Sequence, residues 1–202
     1  MARGRWPLYG AAFAVTWMVG QSWPTALPGA PDGSGDDFER FYAGNEAVHL
    51  LAAVLTAIAA LALVMFTRGL AHALAEVGYN RRLVPAAGLG ASALFLISSV
   101  FPMIAVVVNG DRGEMWWQLS NLVSTLGFIV AAGLAWAIGA LTPTRRVPRV
   151  LARVVALFLL VPLMWWLTAK IFLLWLLVMS IWLALARRPQ AVDSPSTSPL
   201  AP

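Results

Sequence analysis

Between Glu46 and Arg68 the chain runs for about twenty residues, AVHLLAAVLTAIAALALVMFT, without a formally charged side chain. That is the length an α-helix needs to cross the roughly 30 Å hydrocarbon core of a bilayer at about 1.5 Å per residue. No ordinary soluble domain calls for such a run, so it sets the class of the whole chain. Asn45 is a suitable N-cap for this helix, and Glu46 in its first turn complements the helix dipole. Arg68 marks the far end, the polar connection from Gly69 to Arg82 is expected to be helical in its first part, and the acidic-to-basic asymmetry across the run becomes the reference for orienting every other segment.

Composition agrees with this reading. Hydrophobic residues make up 60% of the 202 and charged residues 11%, against about half and about a quarter in soluble domains, and the mean hydropathy is +0.76. The expected fold class is all-α, a polytopic membrane protein forming a bundle of six transmembrane helices over residues 6–23, 46–67, 84–108, 115–141, 149–166 and 170–186. Residues 1–188 then form one domain. Residues 189–202, PQAVDSPSTSPLAP, are a Pro/Ser-rich tail with nothing to bury, for which disorder is expected. The net charge of +5 is not a nucleic-acid footprint, because the basic residues fall in short clusters between apolar runs. The absence of cysteine excludes disulfides, thiolate metal sites and cysteine nucleophiles.

Several local signals refine the six segments. Arg3 and Arg5 precede a short apolar run that fits either a signal peptide or a first helix. A poor small-x-small cleavage pattern favours an uncleaved helix with Trp6 and Trp23 at opposite interfaces. In the polar stretch before Asn45, Phe38, Phe41 and Tyr42 recur at helical spacing, with Asp36, Asp37, Glu39 and Arg40 available to the water side. This spacing fits a short helix lying on the outer surface, with an irregular loop as the alternative. Pro102 deprives the Ser98 carbonyl of its helical donor, so a kink is expected there, with the Ser98 and Ser99 hydroxyls available to the loosened backbone. The sequence AAGLGASA, Ala86 to Ala93, suits close helix approach. Asp111 and Glu114 resemble a capping arrangement for the next helix, followed by Trp116 and Trp117 at the interface. From Val154 to Ala186 Lys170 is the sole charge, and a single helix of that length would be about 50 Å long. Two helices turning at Leu167-Thr168-Ala169 are expected instead.

Charge counting orients this arrangement. The N-terminus, the 68–82 and 142–153 segments and the C-terminal end carry eleven of the fourteen basic residues and two of the nine acidic ones. The positive-inside rule therefore places both termini in the cytoplasm and the chain in the cell (cytoplasmic) membrane. The lipid bilayer is the first expected partner. Anionic lipid contacts at the cytoplasmic arginines are a second, although topology alone explains those clusters. A homo-oligomer or a membrane partner protein is a third, and nucleic acid is not expected.

Candidate chemistry is sparse. Glu46 and His49 form one Glu-x-x-His pair, a pattern that metal-carboxylate bundles use in duplicate. With no second copy, neither a metal site nor a cofactor is expected, and a helix-start carboxylate beside an interfacial histidine suffices. Gln118, Asn121 and Thr125 follow one face of the fourth segment, with Ser120 and Ser124 nearby. Such a stripe bonds across helices or lines a small polar pocket near the outer leaflet, between itself, the Pro102 kink and His49. The candidate pocket residues are therefore Glu46, His49, Gln118, Asn121 and Thr125. No Asp, Glu, Lys or Arg falls centrally in any proposed helix, which disfavours ion-coupled transport. No catalytic constellation is found.

The segment DDFERFYAGNEAVHLLAAVLTAIAALALVMFTRGLAHAL resembles a group of small integral-membrane proteins common in actinobacteria. That group has no assigned activity, so the resemblance implies a multi-pass membrane protein and carries over no functional residues. The expected function is a non-enzymatic binding, sensory or assembly component. A small permease or lipid-handling protein is the alternative, and an intramembrane enzyme or metal protein centred on Glu46 and His49 is a weaker third.

Overall fold

The computed structural model describes residues 5–25, 35–76, 83–108, 112–141, 146–160 and 165–186. All regular structure among these residues is helical, in the order α1 (Trp6–Thr25), α2 (Gly35–Gly44), α3 (Glu46–Glu76), α4 (Leu83–Val107), α5 (Gly113–Ala140), α6 (Arg146–Leu159) and α7 (Trp165–Ala186). Four of them, α3, α4, α5 and the Leu167–Leu185 part of α7, are long and apolar enough to cross a membrane. The 20 residues of α1 give it about the length of a crossing, but Gly, Thr, Gln and Trp dilute its apolar content. At 14 residues, α6 is about 21 Å long, short of the hydrocarbon thickness.

Neighbouring helices meet largely through small residues. In lipid, apolar burial between helices gives little drive, so close packing and polar contacts must hold the bundle. Helix α3 lies between α1 and α4, α4 packs on α5, and α5 on α6, while α7 contacts both α6 and α1. The order of neighbours thus returns from α7 to α1. The contacts are intimate: a Cβ added at Gly69 would overlap Trp6, one at Gly88 would overlap Thr67, and one at Gly10 would meet Ser180 and Phe66. Gly88 lies within the small-residue stretch of α4, which therefore supports the approach of α3.

Rings fill the interior between these backbones. Phe13 and Trp17 of α1 approach Phe95 of α4 at 5.5 and 6.3 Å, and Trp17 stands edge-on to Phe128 of α5 at 4.9 Å. Phe128 continues to Phe95 at 4.9 Å and to Phe172 of α7 at 5.9 Å. Tilted and edge-on ring pairs contribute about 0.5–1.5 kcal/mol each beyond area burial. This cluster is therefore a major tie between four helices, and it occupies the middle of the bundle.

Four expectations need correction. Trp6 is not an interfacial anchor: it is buried, 5.3 Å from Phe66, over Gly69. The helix beginning at Glu46 does not stop at Thr67 but runs on to Glu76, because Leu70, Ala73 and Leu74 continue its buried stripe. The last two helices do not part at Leu167-Thr168-Ala169. Helix α6 ends at Leu159, and Thr168 and Ala169 are buried inside α7. The overlooked signal is Pro162, whose missing N–H would leave the Phe158 carbonyl unpaired in a continuous helix. Finally, the residue preceding α5 is Arg112, in the left-handed region at φ 53° and ψ 32° with no side-chain cap bond. Asp111 and residues 189–202 lie outside the described residues.

Candidate polar cavity beneath the α2 helix

Helix α2 forms where the aromatic spacing indicates, and it is tucked in more deeply than a helix resting on a surface. Phe38, Phe41 and Tyr42 are all buried, while the opposite face carries the Asp37–Arg40 ion pair at 2.6 Å. The seat is made by Gly113 at the start of α5, where a Cβ would stand 2.9 Å from Tyr42 Cδ2 and 3.3 Å from Phe38. Phe38 also faces Trp117 at 5.4 Å. Asn45 turns the chain into α3. Its carbonyl accepts from the His49 N–H at 3.1 Å, and its side-chain amide donates back to the Phe41 carbonyl at 3.0 Å. The side chain seen as an N-cap for α3 thus satisfies the end of α2.

Beneath α2 is a cavity of about 60 Å³ where α1, α3, α4 and α5 come together. By the measure in which one water needs about 10–15 Å³ it holds only a few heavy atoms. Its polar wall comes from Gln21, His49, Thr56, Ser99, Ser120 and Asn121, and Phe41, Tyr42 and Trp117 supply rings. Among the described residues, no Asp, Glu, Lys or Arg lines it.

Pro102, inside α4, organises this wall. Ser98 Oγ donates to the Phe95 carbonyl at 2.8 Å and Ser99 Oγ to the Leu96 carbonyl at 2.7 Å, so neither serves the carbonyl that Pro102 leaves without a donor. That carbonyl, Ser98 O, instead accepts from Ser120 Oγ of α5 at 2.9 Å. The repair comes from the neighbouring helix and ties α5 to α4 at this point.

His49 is 3% exposed and enclosed by α2, with the Phe41 ring at 4.6 Å and the Tyr42 ring at 4.4 Å. Its Nε2 is buried with no hydrogen-bond partner. Trp17 Nε1, Trp175 Nε1 and Ser180 Oγ also lack partners, but none of these residues lines the cavity. Burial raises the Tyr42 hydroxyl well above its ordinary ionisation range.

No protein-family model matches the sequence, and neither the curated proteins nor the solved structures offer a match. The site is therefore read from its own geometry.

Of the five residues singled out from the sequence, His49 and Asn121 line the cavity together. Glu46 is exposed, and Gln118 is exposed and donates to Glu114 Oε1 at 2.8 Å along the helix. Thr125 is partly buried and donates to the Asn121 carbonyl at 2.7 Å. Ser120, whose hydroxyl reaches the Ser98 carbonyl of α4, and Ser124 are buried, whereas Gln118 is on the exposed side of α5. The missed residues are Gln21 and Thr56, joined at 3.3 Å between α1 and α3. A glutamine near the end of an apolar first helix was the available signal. Among the described residues no group of three or more His, Cys, Asp or Glu side chains is positioned to hold a metal.

Proposed function

We propose that this chain is a non-enzymatic, multi-pass binding component of the cytoplasmic membrane, whose ligand site is the α2-capped cavity. The observation that carries the reading is His49, a buried side chain with an unsatisfied nitrogen in the wall of a polar cavity, within an otherwise apolar bundle. Leaving such a group unpaired costs about 1–3 kcal/mol, which a hydrogen bond from or to a ligand offsets. In this reading the four long apolar helices, α1 and the α6 segment give six crossings with both termini on the basic, cytoplasmic side. The likeness to the small actinobacterial membrane proteins is part of the same reading. Native mass spectrometry of the protein extracted directly into nanodiscs tests it. The wild-type chain is expected to carry a small non-lipid species that His49→Phe loses, and a wild-type chain that carries none would count against the reading.

The cavity's extension to Asn121 also favours the small-permease alternative. Passage, however, requires a route past the Phe13, Phe95, Phe128 and Phe172 rings that fill the bundle below. Solute uptake into proteoliposomes above the empty-vesicle rate would select the permease over a capture site.

A further inference from the structure

Two arginines at the basic end of the bundle lie where topology alone does not require them. The positive-inside rule asks only that basic residues flank the crossings, and a connecting loop meets that need. Arg149 and Arg153 lie instead on α6 itself, beside α5. Gly139 brings the two helices together there: a Cβ on it would stand 3.2 Å from Ala152 Cβ and 3.6 Å from the Arg149 carbonyl oxygen. At the edge of this contact the Arg153 guanidinium lies over the Trp136 ring of α5, 5.3 Å from its centroid. Arg149 is half-buried one turn earlier on the same side of α6. Among the described residues no carboxylate pairs with either guanidinium. The first turn of α6 holds no acidic residue, so the positive end of its dipole faces like charge, an arrangement that a bound anion relieves.

We propose that the flank formed by Trp136, Arg149, Arg153 and Leu157 binds an anionic phospholipid of the cytoplasmic leaflet. The site is separate from the α2 cavity and does not rest on its role; only the leaflet follows from the orientation proposed above. Trp136 covers one face of the Arg153 guanidinium and leaves N–H edges open to a phosphate. Leu157 continues the same side of α6 one turn beyond Arg153, and both it and Phe158 are exposed. From Arg149 to Leu157 the helix advances about 12 Å. The flank therefore passes from cationic to apolar in the order in which a phospholipid passes from phosphate to acyl chain. A free inorganic anion engages only the first half of it. Phosphatidylcholine carries the phosphate, but its quaternary ammonium meets the arginines with like charge, so a headgroup of net negative charge fits better.

Site-directed quenching tests the assignment. The chain has no cysteine, so a bimane on Leu160→Cys, an exposed position at the end of α6, reports the lipid beside that helix. The full chain is placed in phosphatidylcholine nanodiscs with a few added lipids labelled by doxyl on the acyl chain. Labelled phosphatidylglycerol is expected to reach half-maximal quenching at a mole fraction at least about fivefold below that of labelled phosphatidylcholine, the scale of one arginine at an anionic surface. Arg149→Gln and Arg153→Gln should each reduce this preference at least twofold, and Trp136→Leu should reduce it with both arginines in place. Unchanged quenching by labelled phosphatidylcholine shows that each variant is folded. Arg68→Gln, which removes an exposed charge from the same side of the membrane, is expected to leave the preference intact. An equal loss in Arg68→Gln would mean that diffuse surface charge attracts the lipid, and the site would fall. It would fall equally if the two labelled lipids quenched the wild-type chain alike. If millimolar inorganic phosphate at constant ionic strength abolishes the preference, the arginine pair holds free phosphate and the lipid assignment is overturned.

Discussion

At the scale of single residues the decisive feature is a carbonyl. Pro102 removes the N–H that Ser98 O would have received, and Ser120 supplies a hydroxyl from another helix. An interhelical hydrogen bond in a membrane is worth about 0.6–1.7 kcal/mol. Ser120→Ala should therefore lower bundle stability by about 1–2 kcal/mol in a steric-trapping or mild-detergent unfolding assay. In the Pro102→Ala background the backbone N–H returns, and the same substitution should cost less than half as much. Equal costs in both backgrounds would mean that Ser120 stabilises by packing alone. Pro102 and its lost bond were legible in the sequence, but the donor was not. Local spacing pointed to Ser98 and Ser99, whereas the partner depends on which face of α5 meets α4, a tertiary fact that no periodicity encodes.

Helix α2 is the element on which the site depends, and its docking responds to alkali. Burial raises the Tyr42 hydroxyl above the ordinary value of 10.0, so the docked helix keeps it protonated while the undocked tyrosine ionises. Docking is then at full strength below pH 10.0 and weakens as pH rises above it. The chain has no cysteine, so a nitroxide at Glu39→Cys reports α2 alone. Its spectrum should sharpen above pH 10 in the wild-type background and remain broad with Tyr42→Phe. Gly113→Val should release the same label at neutral pH, because a Cβ there stands 2.9 Å from Tyr42 Cδ2. An immobile label in that variant would contradict the seat described for α2. The three aromatics at helical spacing made this helix visible in the sequence. Its depth was not visible, because the glycine that admits it lies some seventy positions away and carries no periodic signal of its own.

For the molecule as a whole, the apolar runs between charged ends reveal the all-helical class, and Gly88 shows how closely the runs pack. Gly88→Leu forces a side chain into Thr67 and should cost at least about 2 kcal/mol, the scale of core overpacking, read as loss of folded protein on heating in detergent. Impermeant-thiol mapping on single-cysteine variants checks the orientation. Positions 76 and 149 are expected to label from the cytoplasmic face and position 39 from the opposite one, and labelling of all three from one face would end the six-crossing arrangement. Neighbour order and the interior rings were beyond sequence reading, since each is set by how helices rotate against one another; a pocket between His49, Pro102 and the α5 stripe was expected, but not the wall that Gln21 and Thr56 add to it. Biogenesis adds one more consequence of the Pro102–Ser120 repair. As the chain is inserted, α4 enters lipid ahead of the α5 hydroxyl that satisfies its Ser98 carbonyl in the folded chain, and the connection from Val107 to Gly113 is short. The insertion machinery therefore gains by releasing α4 and α5 together as a hairpin, and a ribosome stalled between them would leave α4 waiting beside the translocon.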